Sequence, residues 1–304
     1  MTDSTQFYQK NGLVIILLSR DLLNLSEGDR MTPIAEYEKR FGFSRWTIQT
    51  AIRFLLDNNC ARFVKRGPKG TFVYDLDYKK LWSYTGWDPL LGLAPLPSSR
   101  IHDALLTGLY EVFDGTKVPF NLSYMLPGSR RFEALNSKQR HFIITTKLAA
   151  RLMKEKYPKI RIAVELTGSK YCEPYKLYFS DPEENRIRPG MKVAIYEAAI
   201  EQSYISERAY QGVDVVRVYG NYHDCVNWLE SKEVDALVQR SDVIPWDGVS
   251  LSHLGLDDEV TTPVILVDSD NYGIEKLISR HVDTKKVARI QALALSGTHK
   301  TRYF

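Results

Sequence analysis

The pattern of hydrophobic and polar positions in the first quarter of the chain predicts two short helices joined by a tight turn. Residues 33–41 have helix-forming content and end at Gly42, which suits the left-handed turn after a helix. Ser44 is a good N-cap for a second helix. That helix carries one apolar stripe at helical spacing, formed by Ile48, Ala51, Ile52 and Leu55. The second helix is therefore expected to be buried on one side only.

The opposite side of the second helix is polar, basic and aromatic, as in a helix that reads DNA. A basic hairpin follows, in which residues 60–66 alternate like a strand, 67–70 turn, and 71–74 return. Basic side chains near its tip can neutralise phosphates, and its glycines permit close backbone approach. The residues predicted to contact double-stranded DNA are Ser44, Arg45, Trp46, Thr47, Gln49, Thr50, Arg53, Arg62, Lys65, Arg66, Lys69, Gly70 and Thr71.

A simpler interpretation is that Arg45 and Arg53 are solvated charges on an ordinary surface helix. That interpretation would suit a single helix. Two helices, a tight turn and a basic hairpin in this order rarely coincide in a protein with another role, so DNA binding is favoured.

From residue 90 onward, short apolar strands alternate with helical segments, which is typical of a doubly wound α/β fold. The first group has predicted strands at 91–96, 120–125, 141–146 and 160–165, helices at 101–113 and 147–156, and a loop at 127–130. The second group has strands at 190–195, 213–218 and 234–238 and helices at 202–210 and 223–231. A strand at 263–268 then returns, followed by helices near 271–281 and 285–295. This order predicts two lobes joined by crossing segments.

Between the two parts, residues 75–97 are dense in aromatic side chains, which favours a linker docked on one domain. We predict a winged helix-turn-helix DNA-binding domain at residues 1–80 and a linker at 81–95. The remaining residues, 96–304, are predicted to form a two-lobed effector-binding and dimerisation domain.

The charge of the chain is concentrated in the predicted DNA-binding part. Residues 1–80 contain 13 Lys and Arg against 9 Asp and Glu, whereas residues 81–304 contain 28 of each. The apolar run 12–18 is too short to span a bilayer, so no membrane association is expected. Three distant cysteines suit a reducing cytoplasm, and the six histidines show no metal-ligand spacing. We therefore expect a cytoplasmic protein with no metal and no cofactor.

Ligands of open α/β sheets bind at the carboxyl ends of the strands. Serines at helix starts and nearby backbone N–H groups favour anions, and Arg240 can pair with a carboxylate or phosphate. The residues predicted to bind a small, anionic effector are Ser98, Ser99, Arg100, Tyr124, Gly128, Ser129, Thr145, Thr146, Gln202, Ser203, Tyr219, Asn221 and Arg240. The alternative for each serine is a helix cap, and for Arg240 a plain surface position.

Three short segments resemble the winged helix-turn-helix of GntR-type bacterial transcription regulators. They are Gly28-Asp29-Arg30, Phe41-Gly42-Phe43-Ser44-Arg45 and Lys69-Gly70-Thr71-Phe72-Val73. The resemblance departs inside the second helix, where Ile48-Gln49-Thr50-Ala51 replaces the usual hydrophobic-Arg-Glu-Ala. It implies DNA binding, but not the usual operator of that family.

Two later segments, 180–195 and 230–238, resemble the C-terminal domain of the YhfZ family of GntR-like regulators. This resemblance implies an effector domain of the type II periplasmic-binding-protein fold. Together with the winged helix, the two resemblances cover nearly the whole chain.

The sequence thus predicts a bacterial transcriptional regulator, a homodimer whose operator binding is modulated by a small anionic metabolite. One alternative is that the C-terminal domain only dimerises or binds a protein partner. A second alternative is an enzyme acting in the α/β cleft. The sequence contains no GxSxG elbow, no Walker lysine and no GxGxxG after a strand, so no catalytic residue is assigned and a non-enzyme is expected.

Overall fold

The computed structural model describes residues 10–87, 89–115, 118–271 and 273–302. Contacts between residues divide the chain into two compact units. The first unit holds the described residues up to Leu91 together with Val112–Asn121 and Asp270–His281. The second holds Gly92–Glu111, Leu122–Ser269 and the described residues from Val282 onward. No helix in the described part of the chain is long and apolar enough to cross a membrane.

The first unit contains the predicted helix pair and hairpin. Its elements up to residue 83 are α1 Lys10–Leu22, α2 Ile34–Phe41, α3 Arg45–Asp57, β1 Ala61–Lys65, β2 Thr71–Leu76 and α4 Tyr78–Ser83. Gly42 ends α2 with a φ of 74°, and Ser44 caps α3 by accepting a bond from the Thr47 N–H. β1 and β2 pair antiparallel across a 3-10 turn at Gly67–Lys69. The helix-turn-helix and hairpin predictions are confirmed.

The packing of the first unit follows from the apolar stripe of α3. Ile48, Ala51 and Leu55 are buried, and α3 packs against α1. The Asp21 carboxylate is buried in this core. It accepts hydrogen bonds from the Tyr37 hydroxyl at 2.5 Å and from Arg40 at 2.6 Å. Burial, together with Asp21, raises the pKa of Tyr37, so its hydroxyl stays a donor.

A late segment of the chain, α11 at Ile274–His281, also belongs to the first unit. The Arg280 guanidinium donates to the Asp29 carboxylate at 2.5 Å, to the Ser26 hydroxyl at 2.9 Å and to the Asn24 carbonyl at 2.6 Å. These three acceptors lie on the turn that leads into α2. Arg280 therefore fastens the end of α11 to the entry of the helix-turn-helix.

Two five-stranded sheets, which the chain visits in turn, form most of the second unit; residues 90–91, 112–115 and 120–121 at the ends of three of their elements are grouped with the first unit. The remaining strands are β3 Leu90–Ala94, β4 Phe120–Tyr124, β5 Phe142–Thr146, β6 Ile160–Glu165, β7 Tyr175–Phe179, β8 Lys192–Ile195, β9 Val216–Tyr219, β10 Ala236–Arg240, β11 Val249–Ser250 and β12 Pro263–Asp268. The remaining helices are α5 Arg100–Gly115, α6 Gly128–Asn136, α7 Lys147–Leu152, α8 Ile200–Ala209, α9 Tyr222–Glu230, α10 Asp257–Thr261 and α12 Thr284–Leu295.

The strand order is β4-β3-β5-β12-β6 in one sheet and β11-β7-β10-β8-β9 in the other. Strand β12 returns to the first sheet after the second is complete, which confirms two lobes with crossing segments. Both sheets are mixed: β3–β5 and β8–β10 are parallel, whereas β7–β10 and β5–β12 are antiparallel. The α/β fold class is confirmed, and antiparallel pairs arise where the chain crosses between lobes.

Two differences between the predicted elements and the structure bear on the second unit's cavity-lining residues. Strand β7 was not predicted, although its residues 175–179 pair with the whole of β10. Residues 128–130 were predicted as loop, but they form the first turn of α6. Because α6 begins earlier than predicted, the neighbouring Arg131 is a helical residue with a fixed direction.

Candidate functional site: a basic groove and an arginine-lined cavity

A groove of about 660 Å³ lies between α3, the hairpin and the segment before α2 in the first unit. Four basic side chains line it: Arg30, Arg45, Arg53 and Lys65. The described lining includes no Asp or Glu. The concave side of the helix-turn-helix and hairpin therefore carries concentrated positive charge, which suits a phosphate backbone.

Backbone hydrogen bonds join the segment before α2 to β2 at the edge of this groove. The Met31 N–H donates to the Thr71 carbonyl at 2.9 Å, and the Val73 N–H donates to the Asp29 carbonyl at 2.9 Å. Gly70 has a φ of +101°, and a Cβ on it would lie 2.9 Å from Arg30 Nε. A side chain at position 70 would therefore strain the backbone and displace Arg30.

Twelve of the thirteen predicted DNA contacts fall into two sets, and the thirteenth, Thr47, is buried. Six line the groove: Arg45, Gln49, Arg53, Lys65, Gly70 and Thr71. Six others lie outside its lining with exposed or half-exposed side chains: Ser44, Trp46, Thr50, Arg62, Arg66 and Lys69. Thr47 is buried, and its hydroxyl bonds to Ser44, so it supports the N-cap of α3. Arg30 lines the groove but was not among the predicted contacts.

A second cavity, of about 230 Å³, lies within the second unit. Loops that follow β3, β4, β5, β8 and β10 contribute to it, together with the starts of α8 and α9. This is the position expected for ligands of open α/β sheets, because the carboxyl ends of strands from both lobes meet there. Its described lining has three charged residues: Arg131, Glu201 and Arg240.

Arg131 enters the cavity from α6 and is 3% exposed. Its Nη1 donates to the Met125 carbonyl at 2.9 Å, and its Nη2 donates to the Tyr171 hydroxyl at 3.3 Å. Its Nε has no hydrogen-bond partner within the described structure. None of the ion pairs among the described residues includes Arg131. A buried guanidinium without a counter-ion lowers the stability of the free protein. An anion bound beside Arg131 would offset this loss.

Arg240 enters from the end of β10 and is 9% exposed. Asp242 lies 3.5 Å from its Nε, while its Nη atoms lie 3.4 Å from His102 Nε2 and Ser98 Oγ. Burial disfavours its charge, but Asp242 and neighbouring thiol and phenol groups outweigh this effect and raise its pKa. Arg240 therefore remains a cation while buried.

His102 links the two arginines through Tyr171, whose ring centroid lies 5.0 Å from its own. Burial, with both arginines nearby, lowers the pKa of His102 to about 3. The imidazole is therefore neutral at physiological pH. Burial also raises the pKa of Tyr171, which keeps its hydroxyl protonated. The guanidinium groups are thus connected by neutral side chains that can donate hydrogen bonds.

The acidic side of the cavity is Glu201, near the start of α8. Its Oε1 accepts a bond from the Thr146 hydroxyl at 2.8 Å. That hydroxyl also caps α7 by accepting from the Ala149 N–H at 3.0 Å. Thr146 is therefore engaged on both sides, and it fixes the Glu201 carboxylate in place.

The structure brings five of the predicted ligand residues to this cavity: Ser98, Gly128, Thr146, Gln202 and Arg240. Eight lie outside its lining: Ser99, Arg100, Tyr124, Ser129, Thr145, Ser203, Tyr219 and Asn221. The contacts of several explain why. Arg100 donates to the Leu295 carbonyl, while Ser99 and Asn221 accept from backbone N–H groups at helix starts. Among the lining residues, Gln202 bonds the Val238 carbonyl at 2.7 Å and is held by the strand.

Sequence reasoning missed His102, Arg131, Tyr171 and Glu201. A signal existed for the first two. His102 shares a helix face with Leu105, Leu106 and Leu109, and Arg131 shares one with Ala134 and Leu135. A titratable residue on the apolar face of a helix is a candidate for a buried functional group.

Comparison with known proteins agrees with this architecture. Residues 77–303 match the YhfZ C-terminal domain family, which is more than half of the chain. The chain belongs to the YhfZ family. Residues 26–73 match a helix-turn-helix domain family. The match to YhfZ of Escherichia coli (strain K12) is 26% identical over 313 residues and covers 98% of this chain and 99% of that protein.

Solved structures show the same fold. The crystal structure of YhfZ from Shigella flexneri has a TM-score of 0.60 at 22% identity, covering 74% of this chain and 97% of that chain. The periplasmic aliphatic sulphonate binding protein SsuA from Escherichia coli has a TM-score of 0.50 at 14% identity, covering 68% and 74%. The second unit of this YhfZ-family chain therefore has the periplasmic-binding-protein-like fold. A helix-turn-helix domain joined to such a domain is the architecture of a DNA-binding regulator.

Proposed function

We propose that this YhfZ-family protein is a bacterial transcriptional regulator whose operator affinity changes when a small anionic metabolite occupies the cavity of the second unit. The observation that carries the proposal is the pair of buried arginines, Arg131 and Arg240, lining one small cavity. We also propose that the protein acts in the cytoplasm, where bacterial DNA is found. We expect a homodimer, because helix-turn-helix regulators commonly read two half-sites.

The groove supports the DNA-binding part of the proposal. Arg45, Gln49 and Arg53 lie on its α3 wall, one helical turn apart along the same face. Arg and Gln at such positions form bidentate bonds to base edges in the major groove. Lys65 on the hairpin and Arg30 on the opposite side are placed to neutralise phosphates.

The cavity supports the anionic nature of the effector. A desolvated guanidinium gains most from a carboxylate or phosphate, because charge-assisted hydrogen bonds are the strongest available to it. The cavity volume is below the roughly 300–1,000 Å³ of sites for drug-sized ligands, so a small metabolite fits best. By linkage, such a ligand changes operator affinity only if it binds the two DNA-binding states of the protein with different affinity.

The test uses the full chain. Duplexes bound by the protein are selected from genomic fragments, and fluorescence anisotropy then measures operator affinity with and without pools of anionic metabolites. We expect at least one pool to change operator affinity and to raise the melting temperature of the protein. Arg131→Gln should retain basal operator binding and lose both responses.

Two results would overturn the proposal. Stabilisation by a ligand without any change in operator affinity would favour a binding or dimerisation module. Consumption of the ligand during incubation, as measured by mass spectrometry, would favour the enzyme alternative.

A further inference from the structure

The cavity is lined by charged residues of both signs, so its ligand is expected to carry both negative and positive groups. Its described lining presents two cationic side chains, Arg131 and Arg240, and one carboxylate, Glu201. The three come from different elements, namely α6, the end of β10 and the start of α8. A ligand that satisfied only the arginines would leave Glu201 facing a second negative charge, which is unfavourable in a half-buried site.

The two guanidinium groups are separate binding points. Arg131 contacts the Tyr171 hydroxyl, the Tyr171 ring contacts His102, and His102 lies beside Arg240. Neutral side chains therefore connect the arginines, and no contact joins one arginine to the other. A ligand that pairs a separate acidic group with each arginine carries two such groups.

Each binding point also has capacity left for a ligand. Arg131 has an unpartnered Nε, and the Nη atoms of Arg240 have only neutral neighbours at 3.4 Å. The buried Gln239 Nε2 also lacks a partner within the described residues and lines the same cavity. Among the described residues, Glu201 accepts a hydrogen bond from the Thr146 hydroxyl on its Oε1. Among the lining residues donors thus outnumber acceptors, and Glu201 is the carboxylate of that lining. The Asp242 carboxylate lies outside the lining, 3.5 Å from the Arg240 Nε, and leaves the two Nη atoms for a ligand.

We propose that the cavity binds an acidic α-amino acid, whose two carboxylates pair with Arg131 and Arg240 and whose ammonium group pairs with Glu201. The aliphatic carbons between these groups pack against the tyrosine rings that line the cavity, at Tyr171, Tyr175, Tyr196 and Tyr222. This assignment rests on the proposed function, since it names the chemical class of the same effector.

The experiment is isothermal titration calorimetry on the full chain with a series that removes one ligand group at a time. L-Glutamate and L-aspartate carry all three groups. Glutarate lacks the ammonium, 2-aminobutyrate lacks the side-chain carboxylate, and 4-aminobutyrate lacks the α-carboxylate. We expect one of the complete amino acids to bind at least tenfold more tightly than each of the three truncated ligands.

Three variants assign the contacts. Glu201→Gln should abolish the preference for the complete amino acid over glutarate while glutarate still binds. Arg131→Gln and Arg240→Gln should each weaken the complete amino acid at least tenfold. Arg186→Gln is the matched control, because Arg186 is an exposed arginine of the same unit that does not line the cavity. It should bind like the unmodified protein.

The outcomes separate this inference from the proposed function. Binding of glutarate or of 2-aminobutyrate as tight as that of the better-binding complete amino acid would overturn the three-point assignment while leaving an effector site. Tight binding of inorganic phosphate with no binding of amino acids would do the same. No binding by the series, by phosphate or by a broad anion collection would overturn both. Circular dichroism checks that each variant is folded. If an arginine variant is not, the Glu201→Gln variant and the truncated ligands still test the three-point assignment.

Discussion

The groove and the cavity use the same side chain in opposite environments. Arg45 and Arg53 are exposed in a groove open to solvent, whereas Arg131 and Arg240 are almost fully buried. Exposed arginines keep their hydration, so they attract phosphates at long range and are screened by salt. Buried arginines have lost their hydration and need partners within hydrogen-bond distance. The first environment gives affinity for a polyanion, and the second gives selectivity for one small ligand.

The largest effect we expect is the loss of stability when a buried arginine loses its counter-ion. Asp242→Asn removes the carboxylate beside Arg240, where both side chains are 10% exposed. Because a buried cation is left without its counter-ion, we expect the free energy of unfolding to fall by about 3 kcal/mol. Urea denaturation measures it. Glu207→Gln, which removes the partner of the exposed Arg217, is the control and should cost less than about 1 kcal/mol. Equal losses for the two variants would contradict the comparison.

The next effect tests the groove. Arg45→Ala and Arg53→Ala should each weaken binding to a selected operator by about 1–3 kcal/mol, because a bidentate base contact is lost. Fluorescence anisotropy on the operator and on a random duplex measures the two affinities. The loss should be larger on the operator.

A matched control for these variants is Arg186→Ala, an exposed arginine of the second unit. Its operator affinity should equal that of the unmodified protein. If Arg45→Ala and Arg53→Ala weakened operator and random DNA equally, α3 would be a phosphate-binding helix and not a base-reading one.

The third effect concerns pH. Burial and the two arginines lower the pKa of His102 to about 3, while in the unfolded chain it titrates near its ordinary value of 6.5. Between these values the unfolded state binds more protons than the folded state, so stability falls as the pH falls through this window. The contribution approaches about 1.4 kcal/mol per pH unit below about pH 6.

His102→Gln isolates this contribution, since carboxylates elsewhere also titrate at acidic pH. The unfolding free energy of both proteins is measured by urea denaturation from pH 7.5 to 5. The variant should lose less stability on acidification than the unmodified protein. Parallel pH profiles would show that His102 is not held neutral between the arginines.

The same comparison explains how much could be predicted from sequence. The groove depends on local features: the stripe Ile48, Ala51 and Leu55 fixes which face of α3 is buried, and Gly42 sets the turn. Its predicted members lie within about 30 residues of one another, so helix and hairpin periodicity was enough to place them. Periodicity did not decide which exposed side chains line the groove: six predicted residues lie outside the lining, and Arg30, which lines it, was not predicted. Thr47 is buried, and its hydroxyl bonds to the N-cap residue Ser44.

The cavity depends on contacts between distant parts of the chain. Arg240 and His102 are 138 residues apart, and Thr146 and Glu201 are 55 apart. The rule that ligands lie at strand ends located the right loops, including those of Gly128, Thr146 and Arg240. It could not tell which of Arg130 and Arg131 points inward. That depends on the first turn of α6, which begins at Gly128.

The smallest effect we expect distinguishes phosphate contact from base reading within the DNA-binding surface. Lys69 is exposed at the end of the hairpin turn, outside the lining of the groove. Since an exposed lysine contributes one released counterion, Lys69→Ala should reduce affinity similarly on operator and random DNA. The slope of log affinity against log salt should become shallower by about one unit. Anisotropy titrations at several salt concentrations measure it, with the exposed Lys79 on α4 as the control position. Two results would contradict this: a salt slope in Lys69→Ala equal to that of the unmodified protein, or an equal change of slope in Lys79→Ala. Either would show that the hairpin tip does not lie against the phosphate backbone. Base contacts in the groove would then account for the binding.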